Sequence, residues 1–314
     1  MRLRDVGEFG LIARVARRAQ SAIADPAGVV LGIGDDAAVL RPRRGEDVVV
    51  TTDAVVENVH FGWKTTPAAL VGARALVAAA SDLAAMGARP LAVLLSLAAP
   101  AGLALDRLEA CLGGLVREAA RHGLPLVGGN VARASETSLS LTVVGAVARG
   151  RALRRDRARV GDRIFVTGAL GASALDLARS ERRGARARHR PAPRIEAGRS
   201  LARLASIGAC IDVSDGLAAD LGHLLEASRI GAEIDPSRLP LPRGFSRACK
   251  KLALDPLRLA VEGGEDYELL FTVRPRGPGA EALSRRLGLP VAEIGTIVRG
   301  RGIRGLRGTG FTHF

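Results

Sequence analysis

Gly32-Ile33-Gly34-Asp35-Asp36-Ala37-Ala38-Val39-Leu40 sets two adjacent carboxylates in a glycine turn that runs directly into an apolar segment. Glycine permits positive φ and close backbone approach, so such a turn can be tight. Two neighbouring like charges repel and raise each other's pKa unless a cation, a basic side chain or open water relieves them, and a metal ion relieves them best. An ordinary solvated acidic turn at the start of a helix or strand fits the same residues, so the rest of the chain has to decide.

Outward from this turn, carboxylates recur beside strands and glycines. Leu11–Ala19 has apolar residues at helical spacing and predicts a short amphipathic helix. Asp47–Thr52 reads as a β-branched strand ending on Asp53, which places a carboxylate where the strand stops. Thr66 and Pro67 open an Ala-rich helix running to about Met86 and closed by Gly87. Asp82 lies inside it, on a face shared with Ala75, Ala78, Ala79, Ala85 and Met86, where a carboxylate needs compensation or open water. Leu91–Leu97 reads as a strand, Asp106–His122 as a helix, and Leu126–Gly128 and Leu139–Ala148 as strands. Between the last two, Gly128-Gly129-Asn130-Val131-Ala132-Arg133 reads as another glycine turn with a polar side chain.

At 314 residues the chain exceeds what one core usually supports, so two domains are expected. The charged, aperiodic Arg149–Val160 stretch marks the boundary, giving domains 1–150 and 151–314. In the second, Asp162–Thr167 is a strand leading to the anion-friendly glycine turn Gly168-Ala169-Leu170-Gly171-Ala172-Ser173 at a helix start. Arg179–Arg194, Arg-rich with Pro191 and Pro193, reads as a mobile, solvated surface excursion. Ala209–Val213 is a strand delivering Asp212-Val213-Ser214-Asp215-Gly216 to a helix over Leu217–Ala227, where Ser214 or Asp215 also suits a helix N-cap. Gly263-Gly264-Glu265-Asp266-Tyr267-Glu268 precedes the strand Leu269–Val273.

Composition excludes several classes. Apolar residues at 47% and charged residues at 25% describe an ordinary folding chain. The net charge of +14 and pI near 11.2 invite a nucleic-acid reading. Against it, the Arg residues are scattered from Arg2 to Arg307, and aromatics at 3% supply few stacking platforms. No nucleic-acid partner is expected, although a positive field attracts small anions. Cys111, Cys210 and Cys249 form no Cys-x-x-Cys and make an odd count, which fits a reducing, cytoplasmic setting. Leu91–Leu105 is broken by Pro100 and Gly102 and is too short to span a bilayer, so no membrane role is expected.

Asp36, Asp53, Asp82, Asp212 and Asp215 thus come from separate elements, a pattern that suggests convergence on one pocket. Oxygen ligands without a His/Cys cluster select Mg²⁺ or Mn²⁺, and Mg²⁺ is commonly held by a few carboxylates plus substrate phosphates.

The order and spacing of these segments resemble the thiamine-monophosphate kinase family, within the larger group of aminoimidazole-ribotide synthetase-like ATP-binding enzymes. The matching stretches are Gly7-Glu8-Phe9 with Leu11-Ile12, Gly32–Leu40, Thr51-Thr52-Asp53 running to His60-Phe61, Ser81–Ala88, Asp212–Gly216 with Asp220-Leu221-Gly222-His223, Gly263–Val273 and His313-Phe314. The resemblance implies an α/β (α+β) architecture of two domains: an N-terminal sheet domain that dimerises, and a C-terminal α/β domain closing over the nucleotide. It implies transfer of the γ-phosphoryl group of ATP to thiamine monophosphate, with several Mg²⁺ ions and no dedicated catalytic side chain. By motif position, Asp36, Thr51, Thr52, Asp53, Asp82, Asn130, Asp212 and Asp215 would hold metal. Gly129, Asn130, Arg155 and Ser214 would contact ATP, and His60, Glu265 and Phe311 the thiamine phosphate substrate.

The chain departs from the family pattern at three places. Asn130 stands where Asp is usual, which keeps a carbonyl oxygen and removes a negative charge. Ala79 stands where Asn is common, and the aromatic near the C-terminus is displaced to Phe311, with Gly308 near its usual place. Two alternatives stay open: a superfamily relative with another acceptor, as in hydrogenase maturation or selenophosphate synthesis, and an ATP-binding protein with weakened catalysis. The selenophosphate enzymes' N-terminal Cys is absent here.

Overall fold

The computed structural model describes residues 1–24, 26–34 and 36–306, which form two compact units. The first comprises Met1–Leu83, Arg89–Arg149 and Arg186–Arg190; the second comprises Ala84–Ala88, Gly150–Ala185 and the chain from Pro191 onward.

In the first unit α1 (Leu3–Ala22) is followed by β1 (Val29–Leu31), β2 (Val39–Leu40), β3 (Glu46–Val56), α2 (Ala68–Ala85), β4 (Arg89–Ala99), α3 (Leu105–Arg121), β5 (Leu126–Arg133) and β6 (Ser138–Ala148). β1 and β2 pair as a small antiparallel ribbon, and the other strands form a four-stranded sheet in the order β3-β6-β4-β5. β4, α3 and β5 make a parallel crossover, while β6 pairs antiparallel with both β3 and β4. Leu139, Leu141 and Val143 of β6 are buried and alternate with half-buried Ser140, Thr142 and Val144, so one face of this sheet meets the core. The opposite face is more open, with Val48 and Val50 of the edge strand β3 exposed. α2 is long and apolar enough to cross a membrane, and 72% of it is buried inside the fold.

The second unit opens with a 3₁₀ turn (Arg155–Arg157) and continues through β7 (Arg163–Thr167), α4 (Ala172–Arg183), α5 (Ile195–Ala202), β8 (Ile207–Val213), α6 (Leu217–Ser228), β9 (Gly231–Ile234), α7 (Phe245–Lys251), α8 (Pro256–Glu262), β10 (Glu268–Val273), α9 (Ala280–Leu287), β11 (Val291–Val298) and β12 (Gly302–Arg304). Its six-stranded sheet runs β12-β9-β11-β7-β10-β8, antiparallel except for β12 against β9. β7, β8 and β10 are buried almost throughout, as expected of strands covered on both faces. Ile164, Val166, Ile211, Val213 and Leu270 pack with Leu217, Leu221 and Leu224 of α6. Phe165 and Phe271 stack at 5.7 Å between centroids.

Four local readings change. α1 begins at Leu3, not Leu11, with Gly7 departing from helical geometry, so a kink interrupts the periodicity that marks its later turns. β3 continues to Val56 because β6 offers it pairing along its whole length, so Asp53 lies within the strand opposite Leu141, not at its end. Gly128–Arg133 is part of β5, not a turn, since β4 supplies its backbone partners. The segment 179–194 is held, not a solvated excursion. α4 extends to Arg183; Ala187 is buried and donates its N–H to Thr65 O; Arg190 pairs with the buried Glu118; and Arg74 donates to His189 O at 2.8 Å. Its guanidinium groups find carboxylate partners that composition alone does not reveal.

Candidate functional site

In the first unit, Asp36 is exposed in the loop joining β1 to β2; its neighbour Asp35 lies outside the described residues. Thr51 and Asp53 share one face of β3 and Thr52 takes the other. Thr51 donates its hydroxyl to Asp82 Oδ2 at 2.5 Å, so strand and helix bring two expected metal ligands together. The small residues around Asp82 leave room for that approach, and the hydroxyl supplies part of the compensation the carboxylate needs. Thr52 accepts from Thr142 Oγ1 at 3.3 Å on the open face. His60 Nδ1 accepts the Val56 N–H at 3.1 Å, which places the proton of the neutral ring on Nε2.

Asn130 stands apart. β3 and β5 are the two edges of the four-stranded sheet, so three strand spacings, about 14 Å, separate Asn130 from the β3 residues within one chain. Gly129 precedes it at φ 155°, and a Cβ there would lie 1.9 Å from Leu95 O, so only glycine fits this close strand contact.

In the second unit the end of β8 and the loop before β10 converge. Asp212 is 2% exposed and pairs with Leu269 across the sheet. The backbone N–H groups of Ser214, Asp215 and Gly216 all donate to Asp220 Oδ2, at 3.0, 3.0 and 3.1 Å. The N-cap of α6 is Gly216, without a side-chain cap, so neither Ser214 nor Asp215 serves that purpose. Burial first, then repulsion from Asp212 and Asp215, pushes Asp220 up to about 7 against the pull of those N–H donors. Glu265 donates its N–H to Ser214 O at 2.7 Å and Tyr267 its N–H to Val213 O at 2.8 Å, fastening the two loops together. A Cβ on Gly264 would lie 2.5 Å from Ser214 O, so glycine is required for this approach.

Arg155 is anchored elsewhere. Its carbonyl accepts from Ser228 Oγ at 2.7 Å, at the far end of α6 from Ser214, about 18 Å along a helix of this length. Phe311, His313 and Phe314 lie outside the described residues. Among the described residues, no three His, Cys, Asp or Glu side chains gather closely enough to hold a metal ion. The donor chemistry nevertheless fits a hard divalent cation: carboxylate, hydroxyl and amide oxygens, with repelling carboxylates at the end of β8 that a cation would relieve.

Two residues with evident work stand in quoted stretches of sequence but received no role there. Asp220 gathers three N–H groups, and its signal is its place in the first turn of α6, four residues past Gly216. Asp266, 5% exposed, accepts from Gly171 N at 2.6 Å and Ser173 N at 3.3 Å, so the helix start read as friendly to an outside anion already holds an internal one.

Comparison with known proteins agrees over both units. Residues 34–147 match the AIR synthase related protein N-terminal domain and residues 159–306 its C-terminal domain. The chain is 41% identical over 303 residues to the thiamine-monophosphate kinase of Escherichia coli K12, covering 92% of this chain and 90% of that one. The crystal structure of thiamine-monophosphate kinase from Stenotrophomonas maltophilia K279a superposes with a TM-score of 0.82 at 39% identity, covering 95% of this chain and 96% of that one. A structure of AaThiL complexed with AMPPCP and TMP superposes with a TM-score of 0.76 at 30% identity, covering 100% and 99%.

Proposed function

The chain belongs to the thiamine-monophosphate kinases of the AIR synthase related family, and from that premise we infer that it transfers the γ-phosphoryl group of ATP to the phosphate of thiamine monophosphate, giving thiamine diphosphate. The observation that carries this reading is the match along 100% of the chain to AaThiL complexed with AMPPCP and TMP, a nucleotide analogue and the acceptor in one protein of this fold.

The acceptor oxygen of a phosphate monoester is already anionic near neutral pH, so the chain needs no dedicated general base. Its task is in-line positioning and relief of the repulsion between two phosphorylated molecules. Several Mg²⁺ ions belong to the reading: Asp36, Thr51, Thr52, Asp53, Asp82 and Asn130 would hold metal in the first unit, and Asp212 and Asp215 would hold metal in the second. When bound they neutralise charge on the donor and acceptor phosphates. Thr51 orients Asp82 for this role through the hydrogen bond between them. Gly129, Asn130, Arg155 and Ser214 contact ATP. His60, whose Nε2–H suits a phosphate oxygen, and Glu265 face the acceptor, together with Phe311.

A homodimer through the open face of the N-terminal sheet is part of the same proposal. Two sheets with exposed apolar residues at a long edge remove that liability by closing on each other. A cytoplasmic location agrees with three cysteines that are all free and buried. No nucleic-acid or membrane partner is included.

The test is incubation with ATP, Mg²⁺ and thiamine monophosphate, followed by chromatography for thiamine diphosphate. Stoichiometric thiamine diphosphate and ADP are expected. ADP release without thiamine diphosphate would overturn the acceptor, and ATP binding without turnover would overturn the enzyme.

A further inference from the structure

Glu265 is held in a backbone conformation it would not choose. Its φ is 62° and that of Tyr267 is 52°, both in the left-handed region that penalises residues with a Cβ. Such a conformation persists only where its surroundings fix it. Between these two residues lies Asp266, the one acidic side chain of the loop turned inward. Its two carboxylate oxygens take the N–H groups of Gly171 and Ser173 at the start of α4. Ser173 Oγ then donates to the carbonyl of Glu265 itself at 2.6 Å, and Glu265 N–H reaches Ser214 O. The strained residue is therefore pinned on one side by the α4 start and on the other by the loop after β8.

We propose that Asp266, anchored on the N-terminal N–H groups of α4, is a positioning residue that sets the Glu265 carboxylate toward the acceptor substrate. The inference rests on Glu265 facing thiamine monophosphate, as read above. The glycine turn Gly168–Ser173 is thereby explained without a phosphate: the Gly171 and Ser173 N–H groups and the dipole of α4 serve a carboxylate from the same chain. Asp266 touches no substrate and acts through Glu265 alone. Burial raises its pKa to about 7 while the Gly171 and Ser173 N–H groups pull it down, so the anchor works in a dry site where a lost acceptor is costly.

The experiment is a double-mutant cycle between Asp266→Asn and Glu265→Gln, read as separate KM values for thiamine monophosphate and ATP. D266N keeps the shape but turns an amide NH₂ toward a backbone donor. It is expected to raise the KM for thiamine monophosphate on the order of tenfold and the KM for ATP less than about twofold. E265Q alone should raise the same KM, and adding D266N to it should have little further effect, because the anchor then has nothing left to position. Ser173→Ala, which removes the bond to the Glu265 carbonyl, should shift the same KM in the same direction and supplies the measurement if D266N does not fold. Equal loss for both substrates, or full additivity in the cycle, would show a merely structural role and overturn the proposal. An E265Q enzyme with unchanged KM would remove the premise about Glu265 and overturn it on that separate ground.

Discussion

Replacing Val50 with Lys tests the proposed dimer at the most exposed apolar side chain of β3. Val48 and Val50 stand 52% and 61% exposed on one face of the edge strand β3. Full burial of a valine side chain is worth about 2 kcal/mol, so covering the exposed half of each contributes about 1 kcal/mol. A two-fold interface uses each residue twice, about 4 kcal/mol in all. That corresponds to about a thousandfold in dissociation constant. V50K removes half of this and places two ammonium groups where water is excluded, so the dissociation constant should rise at least about thirtyfold. Sedimentation equilibrium over a dilution series measures it directly. L177K is the control, since Leu177 is 57% exposed on α4 in the other unit and should leave association unchanged. A V50K protein that associates like the wild type, or an L177K protein that weakens as much, would refute the assignment of the open sheet face.

Three further outcomes follow from the site and its supports. Asp53→Ala should lower transfer about 100- to 1000-fold at saturating ATP and thiamine monophosphate; near-normal turnover in a product-formation assay would place the metal elsewhere. Asn130→Asp should lower the Mg²⁺ concentration for half-maximal rate by restoring a negative charge, and an unchanged or higher requirement in a Mg²⁺ titration would count against that residue as a ligand. Glu118→Gln should cost about 2 kcal/mol at neutral pH in urea unfolding. Burial pushes the Glu118 carboxyl up, but hydrogen bonds from His122 and Arg190 outweigh it and hold its pKa below the ordinary value. The unfolded chain therefore binds the proton first as pH falls, and the advantage of Glu118 is lost below the ordinary carboxylate range. Wild type and variant should converge in acid, and a gap that keeps its full size well below the ordinary carboxylate range, down to pH about 2, would refute this.

Most elements were legible because their periodicity survives in the chain: the Ala-rich helix carrying Asp82, the β-branched run of β3 and the short buried strand before Asp212 all fall where their patterns place them. Apart from the start of α1, where Gly7 interrupts the helix, the misreadings share one cause. Gly128-Gly129 and Asp53 look like breaks when only neighbours in sequence are considered, and it is pairing with β4 and β6 that keeps those backbones extended. The Arg-rich segment looks solvated for the same reason, since Glu118, its partner through Arg190, lies 72 residues away.

The carboxylates raise a subtler difficulty, because each glycine-acid motif mixes two kinds that spacing does not separate. Asp215 and Asp220 both flank the start of α6, and Glu265 and Asp266 are adjacent, yet in each pair one side chain turns inward onto backbone N–H groups. Asp220 and Asp266 fold the loops, whereas Asp215 and Glu265 are the residues proposed above for a cation and a substrate. The distinguishing quantity is how many amide N–H groups point at a given oxygen, which depends on φ and ψ and not on residue identity. At the start of α4 this settles between two readings: an outside phosphate would have to displace a carboxylate that is tethered to the same chain and already seated, so that helix end serves the loop beside it instead of the nucleotide.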